Sequence, residues 1–241
     1  MIKIHSLETF GTHEGPGIRF VVFTQGCNVK CLYCHNPDTQ NLAGGQDYEI
    51  KDLIKLIENN KPYFGNLGGL TVSGGEPLVQ REELTALFKA AKENSINTTL
   101  DTNGSILDEK TKKLLDQTDL VLLDIKHIDN EWHKKITGTD NVVVLKFAEY
   151  LEKQKKPFWL RYVLVPGYTD QKKYLQDLGK HFKKYKHIER LEILPYHTFG
   201  VHKYKHLNIP YPCKGIKVPT VAQVDRAKKI LEKYFKQVIV R

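Results

Sequence analysis

Residues 27–39 read CNVKCLYCHNPDT and place Cys27, Cys31 and Cys34, three of the chain's four cysteines, in one short loop with spacing C-x3-C-x2-C. Four thiolates would close a zinc site or fill an iron–sulfur cluster, and two would make a redox pair. The pentapeptide CLYCH matches the attachment motif of a c-type haem, but that reading leaves Cys27 unused. A Cys3His zinc site with His35 needs consecutive residues 34 and 35 as ligands, and their side chains point in different directions. A [4Fe–4S] cluster with one open iron uses all three thiolates and accommodates the missing fourth. Cys213 lies far downstream in a Pro-rich stretch, YPCKG, and reads as a lone structural or exposed thiol.

Outward from this loop, short β-branched runs alternate with longer amphipathic ones. Strands are expected over Ile18–Thr24, Gly69–Val72, Thr98–Asp101, Leu120–Ile125, Phe158–Val165 and Leu191–Leu194. Helices are expected over Tyr48–Asn59, Gln80–Asn94, Asp108–Gln117, Val142–Lys155, Asp170–Tyr185 and Val221–Tyr234, with a last strand-like run, QVIV. Repeated strand–helix units predict parallel pairing with right-handed crossovers. Six units fall short of the eight that close a full barrel. The expected fold is therefore α/β: a partial (β/α)6 barrel open on one side, with N- and C-terminal additions, in a single domain spanning 1–241. A doubly wound sheet is the second choice.

The unusual residues all sit on or just beyond the latter half of a strand. The cysteine loop follows the first, SGGEP (73–77) the second and DTNG (101–104) the third. DIK (124–126) ends the fourth, Arg161 lies in the fifth and PYH (195–197) follows the sixth. Ligands of α/β proteins bind at the carboxyl ends of strands, so these six places point to one site.

The net charge of +9 invites a nucleic-acid reading, but the lysines are scattered doublets such as Lys112-Lys113 and Lys183-Lys184, with no basic run of five. Solvated helix faces, with a mildly electropositive rim for an acidic protein partner, account for it better than nucleic acid does. The N-terminus has no apolar signal-peptide core, and the longest apolar runs are strand-length, which argues against a membrane span. A cytoplasmic setting is expected, where clustered thiols stay reduced and serve metal binding or catalysis.

With GGEP downstream, the cysteine spacing resembles the radical S-adenosylmethionine (SAM) superfamily. The longer string GPGIRFVVFTQGCNVKCLYCHNPDT, together with DTNG, LLDIK, RYVLVPG and LPYH, is similar to its glycyl-radical-enzyme activating family across nearly the whole chain. The resemblance implies a [4Fe–4S] cluster on Cys27, Cys31 and Cys34 whose open iron is chelated by SAM. Reductive cleavage then yields methionine and a 5′-deoxyadenosyl radical that takes a glycine Cα hydrogen. The implied partner is pyruvate formate-lyase, with a reduced flavodoxin or ferredoxin as electron donor; the second choice is another glycyl radical enzyme. From a different class, a zinc- or haem-binding electron-transfer or interaction module is the rival. The resemblance places Tyr33, Cys34, His35, Gly74, Gly75, Glu76, Asp124, Ile125, Lys126 and His197 beside SAM. It places Asp101, Thr102 and Asp124, with a backbone carbonyl near Leu122, around a monovalent cation (Na+ or K+). His35, Lys126, Arg161 and Glu14 are the expected contacts to the partner peptide; Glu14 stands where the family often has Asp, and Gln40 where it often has Trp.

Overall fold

The computed structural model describes all 241 residues. Nine strands form: β1 (Ile2–Gly11), β2 (Arg19–Thr24), β3 (Gln46–Tyr48), β4 (Gly69–Gly74), β5 (Asn97–Thr102), β6 (Leu120–Asp124), β7 (Phe158–Leu164), β8 (Ile188–Pro195) and β9 (Val238–Val240). Eight helices accompany them: α1 (Ile50–Asn60), α2 (Arg81–Glu93), α3 (Glu109–Asp116), α4 (Asn130–Thr137), α5 (Val142–Lys153), α6 (Lys172–Phe182), α7 (Val201–His206) and α8 (Val221–Leu231). The strand order is β3-β1-β2-β4-β5-β6-β7-β8-β9. β1 pairs antiparallel with β2 and β3, whereas β2–β4, β4–β5, β7–β8 and β8–β9 are parallel. The six expected strands are β2 and β4 to β8, and the sheet is open, with additions at both ends.

Contacts divide the chain into two compact units, one of Met1–Asn28 and Thr39–Leu122, the other of Val29–Asp38 and Leu123–Arg241. In the first, β2 and β4 are buried over most of their length, as strands covered on both faces are. Helices α1 and α2 bury Leu53, Ile54, Ile57, Leu84, Leu87 and Phe88. The Asp108 side chain caps α3 by accepting from the Thr111 N–H. One buried polar group stands apart. Arg19 is fully buried, and its guanidinium donates to the hydroxyls of Thr71 (2.9 Å) and Thr99 (2.8 Å), the Asn97 amide oxygen (3.0 Å) and the carbonyls of Leu70 (2.5 Å) and Leu67 (3.2 Å). Burial lowers its pKa to about 10.

In the second unit, β7 and β8 run parallel over their whole length, and α5 and α6 bury Phe147, Leu151, Leu175 and Phe182. Helix α4 starts on an Asp129 cap and stops at Gly138, whose φ of 82° is the left-handed conformation that ends a helix. A Thr220–Gln223 capping box opens α8. The second unit also holds a buried cluster of Tyr33, Ile136, Val165, Tyr196 and Cys213, with Cys31 and Tyr211 packed against it. The isolated thiol at position 213 is thus a core residue.

Candidate functional site

In the first unit three loops at the carboxyl ends of β2, β4 and β5 are bonded to one another. The Glu76 N–H donates to the Gly26 carbonyl (2.8 Å), and the Gly26 N–H to the Thr39 carbonyl (2.7 Å). Gly75 permits this approach: a Cβ there would lie 2.2 Å from the Gly26 carbonyl oxygen. Gly74, at φ 116°, has a conformation that side chains resist. The start of the cysteine loop and the GGEP turn are therefore held in backbone contact immediately beside Cys27.

The Glu76 carboxylate, 1% exposed, accepts from the Thr102 hydroxyl (2.5 Å) and the N–H groups of Asn103 (2.7 Å) and Leu78 (3.0 Å). Desolvation pushes its pKa up to about 7, against those three bonds. Its side chain is thus committed to joining GGEP to DTNG. Asp101 accepts from the Ser73 hydroxyl (2.7 Å). Asn28 completes the junction, donating to Ser105 (2.7 Å) and accepting from Asn103 (3.4 Å). Successive strand residues face opposite ways. The Thr102 hydroxyl accordingly turns from Asp101 toward Glu76, and also accepts from the Gly104 N–H (3.0 Å). The structure does not bring the Thr102 hydroxyl and the Asp101 carboxylate together as a pair of cation ligands.

Glu14 lies in the loop entering β2, at the opposite end of that strand from Cys27. Its carboxylate accepts from the His13 N–H (3.1 Å) and its carbonyl from the Thr71 hydroxyl (2.6 Å).

In the second unit the rest of the cysteine loop is anchored by backbone bonds from Lys30 to Thr137 and from Leu32 to Ile136 (2.9 Å). Burial raises the Cys31 thiol to about 11, with Lys126 opposing the shift. A metal taking this thiolate would therefore displace a proton. Tyr33 is 5% exposed and its hydroxyl has no hydrogen-bond partner, an orphaned polar group where a bound molecule would supply one. Asp124 and Lys126 form an ion pair of 2.7 Å with side chains 21% and 14% exposed. Burial disfavours the ammonium, but Asp124, with Cys31 and Tyr33, outweighs it and holds the Lys126 pKa well above the ordinary value. The Ile125 N–H donates to the Arg161 carbonyl (2.9 Å). Arg161 itself is 3.5 Å from the fully buried Glu192, which also meets Arg190 (3.1 Å) and Arg241 (3.2 Å).

Two site residues expected from distant loops do meet. The rings of His35 and His197 stack with centroids 3.9 Å apart, and the His35 Nε2 bonds the His197 carbonyl at 3.0 Å. A carbonyl only accepts, so this nitrogen carries the proton. Burial and the neighbouring His197 push His35 down to about 4, which keeps the ring neutral. Tyr204 and Lys203, which sequence reasoning missed, hold the same loop: Tyr204 donates to the Cys34 carbonyl (3.0 Å), and Lys203 pairs with Asp38 (3.0 Å) and Asn36 (2.8 Å).

None of the three loop cysteines is in a disulfide, and all three are partly exposed. No three His, Cys, Asp or Glu side chains stand close enough to hold a single metal ion. Each thiolate of a [4Fe–4S] cluster bonds a different iron, so its ligands need not converge on one point. Within the second unit, the orphaned Tyr33 hydroxyl beside Cys31 and Cys34 fits a small molecule bound next to a cluster.

Comparison with known proteins agrees. Residues 21–178 match the radical SAM superfamily. The chain is 48% identical over 236 residues to the pyruvate formate-lyase-activating enzyme of Streptococcus mutans, covering 95% of this chain and 90% of that one. It is 45% identical over 232 residues to the enzyme of that name from Staphylococcus epidermidis, covering 93% and 92%. Among solved structures, Streptococcus suis SuiB bound to its precursor peptide SuiA superposes with a TM-score of 0.70 at 19% identity, covering 92% of this chain and 48% of that one. A domain of the Bacteroides vulgatus pyruvate-formate lyase-activating enzyme does so at 0.61 and 22% identity, covering 72% and 99%. A matched profile over more than half the chain and near-full-length identity of 45–48% place this protein in the radical SAM superfamily, in the family of the pyruvate formate-lyase-activating enzymes.

Proposed function

We propose that this chain, acting as one domain over 1–241, activates pyruvate formate-lyase by creating a radical on a backbone glycine of that enzyme. The observation that carries the reading is the 45–48% identity to enzymes of that name over almost the whole chain, with three cysteines outside any disulfide in the one loop that needs them. When bound on Cys27, Cys31 and Cys34, a [4Fe–4S] cluster supplies the electron that splits SAM into methionine and the 5′-deoxyadenosyl radical which removes the glycine hydrogen.

The chain's own residues bind, orient and shield. Gly74 and Gly75 leave backbone open to the methionine end of SAM, while Glu76 positions the turn through Thr102 and Asn103. Asp124 and Lys126 offer opposite charges to the zwitterionic amino-acid portion, and Ile125 lends backbone between them. Tyr33, His35 and His197 form an aromatic wall of neutral groups, suited to adenine. Asp101 and Asp124 are the carboxylates for a monovalent cation, with Thr102 contributing through its carbonyl. Arg161, Lys126, His35 and Glu14 are assigned to the incoming peptide. The electron donor is a reduced flavodoxin or ferredoxin, and a cytoplasmic setting suits thiols that must stay reduced.

The test is anaerobic incubation of the reconstituted protein with SAM, dithionite and pyruvate formate-lyase, followed by electron paramagnetic resonance. A glycyl radical doublet is expected, with 5′-deoxyadenosine formed in equal amount. 5′-Deoxyadenosine without the doublet would assign the chain to another glycyl radical enzyme or to a small substrate.

A further inference from the structure

The segment following β8, from Tyr196 to Val221, has two faces. Its inner face closes on the cysteine loop. Tyr196 and Cys213 are buried with Tyr33, and the Tyr204 hydroxyl holds the Cys34 carbonyl. Gly200 lies so close to His35 that a Cβ would be 2.6 Å from the His35 carbonyl oxygen. The outer face carries Phe199, 79% exposed, with exposed Leu207, Ile209 and Val218. In the same segment Lys205, Lys214 and Lys217 are exposed. From Ile193 to Val224 the chain has no Asp or Glu, and no Arg either.

Aromatic rings join the two faces. Phe199 lies 4.5 Å from His197, and His197 lies 3.9 Å from His35, the residue after Cys34. An exposed ring is thereby connected, ring by ring, to the backbone of a cluster-binding cysteine. Outside the loop trio the chain has one cysteine, buried Cys213, so these residues provide no second iron–sulfur centre.

We propose that this outer face docks the electron-donor protein, an acidic one-electron carrier, with Phe199 as the central contact and Lys205, Lys214 and Lys217 as the steering charges. The proposal rests on the function proposed above. In the transfer the carrier is oxidised by one electron and the cluster reduced by one, with no bond made or broken. A lysine-rich segment that itself carries no carboxylate attracts an acidic protein and raises its encounter rate. The missing arginines and interleaved apolar side chains fit a protein better than a nucleic-acid backbone.

The test compares wild type with the triple variant Lys205→Glu/Lys214→Glu/Lys217→Glu and with Phe199→Ser, all reconstituted and checked for equal iron content. Affinity for oxidised flavodoxin is measured by flavin fluorescence, and cluster reduction by stopped-flow absorbance with either reduced flavodoxin or dithionite. At low salt the triple variant should bind flavodoxin about tenfold or more weaker and be reduced by it correspondingly slower. Added salt should shrink that difference, and Phe199→Ser should slow reduction at every salt concentration. Dithionite should reduce all three proteins alike. Unchanged flavodoxin affinity and rate in the triple variant would overturn the proposal. So would an equal loss with dithionite, or a loss confined to pyruvate formate-lyase binding, which would give this face to the substrate enzyme. Failure of wild type to cleave SAM with dithionite would instead defeat the underlying function, whatever the flavodoxin affinity.

Discussion

Replacing Gly75 by alanine puts the contact between the cysteine loop and the GGEP turn under direct strain. The new Cβ would stand 2.2 Å from the Gly26 oxygen, 2.7 Å from its carbonyl carbon and 2.9 Å from the Thr39 oxygen, all backbone atoms. Reaching even 3.0 Å from the nearest requires a shift of 3.0 − 2.2 = 0.8 Å. Taken along the Glu76 N–H···O=C Gly26 bond, the same shift stretches 2.8 Å to about 3.6 Å, past the limit of a hydrogen bond. Losing a buried backbone bond costs about 1–3 kcal/mol, and overpacking costs about 1–3 kcal/mol more. The sum, about 2–6 kcal/mol, corresponds to a Tm lower by roughly 5–20 °C in a chain of this size. Circular dichroism melting of the metal-free protein measures it. Iron content after reconstitution should fall as well, because Cys27 directly follows Gly26. Gly138→Ala is the control: its Cβ meets nothing within 4 Å, and its φ of 82° carries a penalty of about 1 kcal/mol. A Gly75→Ala protein that melts within a degree of Gly138→Ala and takes up full iron would refute the close-contact argument.

Alanine at Cys27, Cys31 or Cys34 should each abolish iron uptake, whereas Cys213→Ala should keep its iron and lose about 1–2 kcal/mol from a small core cavity, read by urea titration. Lys126→Met removes the ammonium from its 2.7 Å pair with Asp124 and should weaken SAM binding at least tenfold by calorimetry, with iron content unchanged. Asp119 gives a pH signature remote from the site. Burial opposes its charge, but hydrogen bonds from Lys92 and Thr98 outweigh it and hold the carboxylate below its ordinary pKa. A depressed folded pKa stabilises above the unfolded value and ceases to do so as pH falls through the folded one. Asp119→Ala should therefore cost about 1 kcal/mol at pH 7 and progressively less below about pH 4.

Much of this architecture was legible in the chain because hydrophobic period and thiol spacing are local signals. The six runs from Ile18 to Leu194 are dense in β-branched and aromatic residues, and each became a strand. β1 escaped notice because only Ile2, Ile4 and Gly11 of its ten residues are buried, and the others, Leu7 and Phe10 among them, are partly or largely exposed. Helix α7 is six residues, VHKYKH, held by Tyr204 and Lys203 rather than by an apolar stripe, so no periodicity announced it. Within the site, Glu76 looked like a ligand contact from its place beside two glycines. Its three backbone and hydroxyl donors, two of them from DTNG, are visible only once β4 and β5 are adjacent. The His35–His197 stack joins residues 162 apart in sequence, a separation no local pattern reports. Asn28, next to Cys27, belongs to no recognisable pattern and still bonds to the DTNG turn.

Arg19 has a consequence for how the sheet is assembled. Apart from the Pro16 carbonyl, its acceptors lie 48 to 80 residues away, on or beside β4 and β5, and they match the guanidinium only with Arg19 opposite Gly69 and Gly69 opposite Asn97. A slip of one residue between β2 and β4 would put Leu70 or Val72 in place of the Thr71 hydroxyl, beside a cation cut off from water. A mismatched apolar strand costs little by comparison, since one valine packs much like another. A stranded guanidinium costs several kcal/mol, enough to empty the slipped state. The arginine therefore acts as a checksum on strand register, penalising wrong alignments of β2, β4 and β5 before the loops at their far ends can be set.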